Sequence, residues 1–277
     1  MASVVSADTL RYRASGPWQD LDDGTHGWIS PDAPDNTDTV RANWGGATIT
    51  LDYETTVNKF QAGVDESGTF HIQAGGVLNT AGGNNKIGNN GACTGTMIID
   101  AGGTVNSTGW LMIAGNSTVT GVADVSGTLN SASHLWMATG AGSTATLDIN
   151  NGGVVNVGGM IGLGTVNAVD PSGGTATLNV NDGGLLVLAN IHGGGTSVQP
   201  GSMFNLYGTG RIEMSGDFVG HWENHYIPDG YISGNDIVGN VVVEYDPSAD
   251  LTTVAVPEPA TMSLLGLGVL ALIRRKK

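Results

Sequence analysis

Through the middle of the chain, apolar and polar residues alternate in short runs, and one such run returns five times. It is an apolar strand, a Gly-Gly turn, a second short strand and an Asn. The copies read Thr69-Phe-His-Ile-Gln-Ala-Gly-Gly-Val-Leu-Asn79, Thr96-Met-Ile-Ile-Asp-Ala-Gly-Gly-Thr-Val-Asn106, a contracted Val122-Ala-Asp-Val-Ser-Gly-Thr-Leu-Asn130, Thr146-Leu-Asp-Ile-Asn-Asn-Gly-Gly-Val-Val-Asn156 and Thr177-Leu-Asn-Val-Asn-Asp-Gly-Gly-Leu-Leu-Val187. The final positions 79, 106, 130, 156 and 187 lie 27, 24, 26 and 31 residues apart. Within each copy the apolar residues recur at every second position, the period of a strand whose side chains point alternately to its two faces. A second apolar patch follows at Ile87, Ile113, Met137 and Leu163, with Ile191 taking that part in the fifth copy.

Two or three short strands per 24–31 residues, with Gly or Asn at each corner, describe one coil of a solenoid. No helix-period stretch lies between the strands, which excludes βαβ units. The predicted fold is all-β: a right-handed parallel β-helix, roughly 30 Å long at about 4.8 Å per coil, followed by a short C-terminal transmembrane helix. Phe70, Ile72, Ile99, Ile149 and Val180 should stack inward in one file. Asn79, Asn106, Asn130 and Asn156 should form a structural ladder, internal or at a corner, each amide bonding the next. A β-sandwich also shows short strands and Gly turns, but fixed-period recurrence argues against it.

The ends break the pattern. Residues 1–7 read as the remnant of a secretion signal, because Val5-Ser6-Ala7 has the small residues of a cleavage site without the apolar core that should precede it. Residues 8–45, with Trp18, Trp28 and Trp44, are expected to cap the first coil. The solenoid should occupy 46–245. Its closing cap would be Asp217–Tyr231, with Trp222, Tyr226, His221 and His225, and its final strand Ile237–Tyr245. Residues 246–256 read as a polar linker and 257–277 as a separate terminal signal.

Composition sharpens this picture. Gly supplies 45 of 277 residues and charged residues only 13%, while 40% are hydrophobic, so the chain is neither helical nor disordered. A net charge of −15 repels nucleic acid. The one cysteine, Cys93, permits no internal disulfide.

Candidate chemistry is sparse. Asp100, Asp124 and Asp148 recur at spacing 24 and could stack on one outward face as paired carboxylates. The acid and histidine sets of polygalacturonases are not present in order, and residues 60–210 contain no Arg and one Lys, Lys86, whereas pectin lyases need an Arg base. No catalytic residue is assigned. Asp20, Asp22 and Asp23, or Asp32, Asp35 and Asp38, gather oxygens in loops where calcium is conceivable. Neither set follows the EF-hand series, so no metal or cofactor is expected. Trp110, Trp136 and His134 fall near one corner and read as packing.

The last 21 residues carry the clearest signal. Pro257-Glu258-Pro259 is followed by an apolar stretch, Ala260 to Ile273, and then by Arg274, Arg275, Lys276 and Lys277. Fourteen apolar residues fall short of the roughly 20 that span a bilayer comfortably, and a tetrabasic end supplies a cytoplasmic stop. The plain reading is a C-terminal anchor. The order turn, apolar run, basic end resembles the PEP-CTERM sorting signal of Gram-negative and related bacteria, and with its repeats the whole chain resembles the β-solenoid, autotransporter-passenger-like surface proteins that carry such signals. The resemblance implies an exosortase-type partner that recognises Pro257-Glu258-Pro259 and processes the tail on export, with a membrane-anchored intermediate before cell-surface or extracellular release. It also implies a link to biofilm and exopolysaccharide, and so to extracellular polysaccharide as a partner. The expected function is a non-catalytic surface or matrix protein, structural or adhesive. The alternative is a carbohydrate-active β-helix enzyme or glycan-binding module.

Overall fold

The computed structural model describes residues 9–12, 16–17, 35–43, 45–165, 173–191 and 198–258. They form an all-β parallel solenoid of about 6 turns, closed at its C-terminal end by one short helical segment and an antiparallel hairpin. The central coils each contribute strands to three sheets, here A, B and C, with Val154–Leu163 serving C and A as one strand. In one coil these are Asn85–Asn90, Thr94–Ile99 and Thr104–Ser107; in the next, Leu111–Ile113, Thr120–Val125 and Thr128–Ser131. The pairings between successive coils are parallel, and in register apart from bulges at Val157–Met160 and Ala62–Val64, which excludes the sandwich.

The alternation seen in the sequence becomes files of side chains along the rod. On sheet B, Ile72, Ile99, Val125, Ile149, Val180 and Leu206 stack in one buried file. Phe70 belongs instead to the adjacent file with Met97, Ala123, Leu147, Leu178 and Phe204, because it lies two residues before Ile72 on the same face. Each large aliphatic side chain so buried contributes about 1.5–3 kcal/mol. On sheet A, Ile87, Ile113, Met137 and Leu163 continue one another. The fifth coil departs from expectation: Leu163 is followed by Val198, not Ile191, because the long coil returns to sheet A later.

The Gly-Gly corners have two separate causes. At Gly152 φ is +77°, a left-handed conformation that costs most residues steric strain. At Gly153 φ is ordinary, but a Cβ would sit 2.1 Å from the Val125 carbonyl oxygen of the coil below. The contracted copy shortens this corner: four residues, Asp100–Gly103, separate the paired strands in one coil, and two, Ser126 and Gly127, in the next. Asp100 is therefore out of line with the other acids. Ile98 pairs with Asp124, and Asp124 with Asp148, so only the last two stack. Asp100 sits past the strand end, bonded to His71 Nε2 at 2.9 Å.

The solenoid also starts earlier and ends later than its sequence boundaries. Thr39–Ala42 pairs in parallel with both Thr9–Tyr12 and Lys59–Val64, so coiling runs through the expected cap. Val40 and Ala42 point inward in the same alternating pattern, among neighbours rich in Pro, Asp and Trp that hide it. The tryptophans at 18, 28 and 44 lie outside the described residues. At the other end, Val219–His221 and a π-helical turn, Trp222–Tyr226, bury Trp222 and Tyr226 against Phe204. The expected final strand is split into Ile237–Val238 and Val242–Asp246 by a turn with Gly239 at φ +73°. The expected linker is a strand: Leu251–Ala255 pairs antiparallel with both Arg211–Ser215 and Val242–Asp246, since its Thr252 and Val254 alternate inward. Among the described residues no helix is long and apolar enough to cross a membrane, and the stretch expected to do so lies outside them.

Candidate functional site

Two features stand apart from the packed rod. The first is the junction with the terminal signal. Ala255 is paired on both sides, with Arg211 and with Val242. Val254 and Val256 are buried, Val256 beside Gly234, and Glu258 is the first fully exposed residue after the strand. The signal residues Pro259, Arg274, Arg275, Lys276 and Lys277 lie outside the described residues. The terminal sequence thus begins where the last strand of the body stops, with no free segment between them.

The PEP-CTERM protein-sorting motif matches residues 255–277. The tail is a PEP-CTERM sorting motif. Its presence implies an exported protein processed by an exosortase. No curated protein matches the chain, and no solved structure does.

The second feature is a groove of about 320 Å³ on sheet C, lined by Asn106, Thr108, Asn130, Ala132, Asn156 and Gly158 with Ser107 and Ser131 behind. The strands Val77–Thr80, Thr104–Ser107, Thr128–Ser131 and Val154–Leu163 hold Asn79, Asn106, Asn130 and Asn156 in register. Each amide Nδ2 donates to the Oδ1 of the preceding Asn, at 2.8, 2.7 and 2.7 Å, and Asn79 donates to Glu54 Oε1 at 3.0 Å. The ladder faces outward and is half-buried, not internal, because the residues on either side of each Asn occupy the inward positions. It ends where Val187 takes the place of Asn.

At the corner beside this groove, Trp110, His134 and Trp136 come together. Ring centroids are 5.8 Å apart for Trp110 and His134 and 5.3 Å for His134 and Trp136. Trp110 is 41% exposed, whereas Trp136 is buried over Gly162, with its Nε1 unpartnered. His134 Nδ1 accepts the Met160 N–H at 2.8 Å, which places the neutral ring's proton on Nε2.

The acids do not converge on the groove. Asp124 and Asp148 lie on sheet B and accept from Asn150 and Asn179, and a second amide ladder continues from Asn179 to Asn205 and Ser233. Of the loop acids, Asp20, Asp22, Asp23 and Asp32 lie outside the described residues. Asp35 is tied into its own turn: its carboxylate accepts the Thr37 hydroxyl and N–H, both at 2.7 Å, which holds its pKa below the ordinary value. Among the described residues no three His, Cys, Asp or Glu gather as metal ligands. Cys93 is buried, its thiol donating to backbone carbonyls, and burial pushes its pKa up.

Sequence reasoning missed the groove, the sheet B ladder and the closing strand. The ladder was legible in principle, since Asn179 and Asn205 recur 26 residues apart at the same strand position. The groove had no such signal, because the corner residues Thr108, Ala132 and Gly158 that line it share no residue type.

Proposed function

We propose that this protein is an exported, non-catalytic rod with a structural or adhesive role at the cell surface or in the extracellular matrix. It reaches that place through an exosortase-type enzyme and a transient intermediate held in the membrane by Ala260–Ile273 and its basic end. The observation that carries the reading is a sorting motif joined directly to a stack of coils whose outer polar groups bond mainly to one another. The stacked pair Asp124 and Asp148 supports it, since both carboxylates accept amide hydrogen bonds on a sheet face and lie outside the sheet C groove. The coil is taken as right-handed, the hand that parallel crossovers adopt. Mass spectrometry of the surface or secreted form tests the sorting step: no peptide from Leu264–Ile273 should remain. Glu258→Ala should leave the rod folded but retained and uncleaved. An intact tail on the mature protein in cells that contain the enzyme would refute this route.

A second reading, glycan binding, is favoured by one observation. Trp110 offers an exposed aromatic face near a groove whose accessible lining is almost wholly apolar, a combination that suits the apolar face of a neutral sugar. Affinity retention on polysaccharides, scored for cleavage as well, separates the readings. Retention without cleavage that Trp110→Ala abolishes would establish binding; no retention by any polysaccharide tried would leave the structural role.

A further inference from the structure

We propose that the folded C-terminal cap is itself a docking surface for the processing enzyme, which reads this cap together with Pro257-Glu258-Pro259. The inference rests on the reading that an exosortase-type enzyme processes the tail.

Three observations converge. Only Pro257, Glu258 and Pro259 separate buried Val256 from the apolar run that begins at Ala260. Three residues reach about 10 Å when fully extended. An enzyme that grips this turn at the membrane is therefore brought against the end of the rod. Next, the residues before Pro257 are not free to lie in an extended cleft. Leu251–Ala255 is the middle strand of three, held by five register pairs on each side. The contacts an enzyme would ordinarily make upstream of its recognition turn must here be made with folded surface. Finally, that surface is unusually apolar. Ile237, Val238 and Val242 are 61%, 57% and 40% exposed, and the only other large hydrophobic comparably exposed among the described residues is Trp110. The Ile237–Val238 strand pairs with Ser233 and Gly234, and Gly234 touches Val256, so the patch adjoins the exit point of the chain.

Charge selects the occupant. Residues 212–258 hold nine acids and no Lys or Arg, so an anionic bilayer surface is repelled. Glu244 and Asp246 stand on the edge strand Val242–Asp246, which disfavours pairing with a second copy of the same edge. A protein face with an apolar centre and a basic rim fits both features.

The test is pulse-chase processing of the full-length protein in cells that contain the enzyme. Ile237→Asp with Val238→Asp changes two exposed positions and should slow tail removal about tenfold, the scale of losing interface anchors. Inserting ten Gly/Ser residues between Val256 and Pro257 leaves the cap native. It should slow removal similarly and make the Asp substitutions neutral, while Glu258→Ala blocks removal in every background. Wild-type rates in either the substituted or the extended protein would overturn the proposal and leave the sorting reading intact. Failure of the wild-type chain to be processed would overturn both. Self-association of the protein that the Asp pair dissolves would assign the patch to a second copy, and also overturn it.

Discussion

Asn85 and Asn106 are one residue type in one coil, and replacing each by Ala should give very different results. Asn85 is fully buried in an inward file of sheet A, where the next coil has Leu111 and the one after has Leu135. Its Oδ1 accepts the Phe60 N–H at 3.0 Å, and its Nδ2 donates to Thr80 Oγ1 at 3.1 Å and Ser107 Oγ at 2.7 Å. After truncation the hydroxyls keep other bonds, Thr80 from the Thr108 N–H and Ser107 to the Gly109 carbonyl. The Phe60 N–H loses its acceptor. Two lost hydrogen bonds at about 1 kcal/mol each and an orphaned buried donor at about 1–3 kcal/mol put Asn85→Ala at about 3–5 kcal/mol. Asn106 gives and receives one bond each in a half-buried ladder, where water can replace both, so Asn106→Ala should cost only about 1 kcal/mol. Urea unfolding followed by far-ultraviolet circular dichroism measures both midpoints. If the two variants unfold together, the polar cluster around Asn85 contributes no more than the surface ladder, and the reasoning fails.

Other outcomes follow from the same geometry. Gly153→Ala, which drives a Cβ into the Val125 carbonyl, should lower the melting midpoint well beyond Gly152→Ala, which meets nothing within 4 Å and carries only strain of about 1–2 kcal/mol; equal shifts would refute the close-approach argument. Ile99→Ala should cost about 2–5 kcal/mol by opening a void in the sheet B file, read as a shift in the urea midpoint. Cys93 should resist iodoacetamide at neutral pH until the protein is unfolded, because burial both shields the thiol and raises its pKa. Asp35, Asp182 and Asp246 have folded pKa values lowered from 3.8 by bonds from Thr37, Thr209 and Ser248. The stability they add is present above 3.8 and lost as pH falls through the lower folded values, so the melting midpoint should drop on acidification below about pH 4, less steeply in Thr209→Val.

The period-two alternation and the Gly-Gly corners made the parallel solenoid legible, since both are local consequences of a chain that must turn and restack at short intervals. Register was less legible. The two-residue contraction at Ser126-Gly127 leaves the strands aligned while shifting the numbering, so counting from Asp100 by 24 pointed to the wrong partner. Residues 246–256 looked polar and therefore loose, yet a closing strand needs only two inward residues, and Thr252 and Val254 suffice. Asn85 broke the apolar file at a position where Leu111 and Leu135 follow, because its amide oxygen serves as the acceptor for the Phe60 N–H, a long-range role that no local pattern signals. The tail was the most legible part because its recognition depends on sequence order and needs no fold.

The closing strand also sets how the rod bears load. Any pull transmitted through Pro257 runs along the axis of Leu251–Ala255, between two antiparallel neighbours. The hydrogen bonds on both flanks lie across that pull and are strained together in shear, instead of opening one after another as in a hairpin peeled from its end. A tethered rod of this kind would hold firm under tension at its attached end and yield first elsewhere.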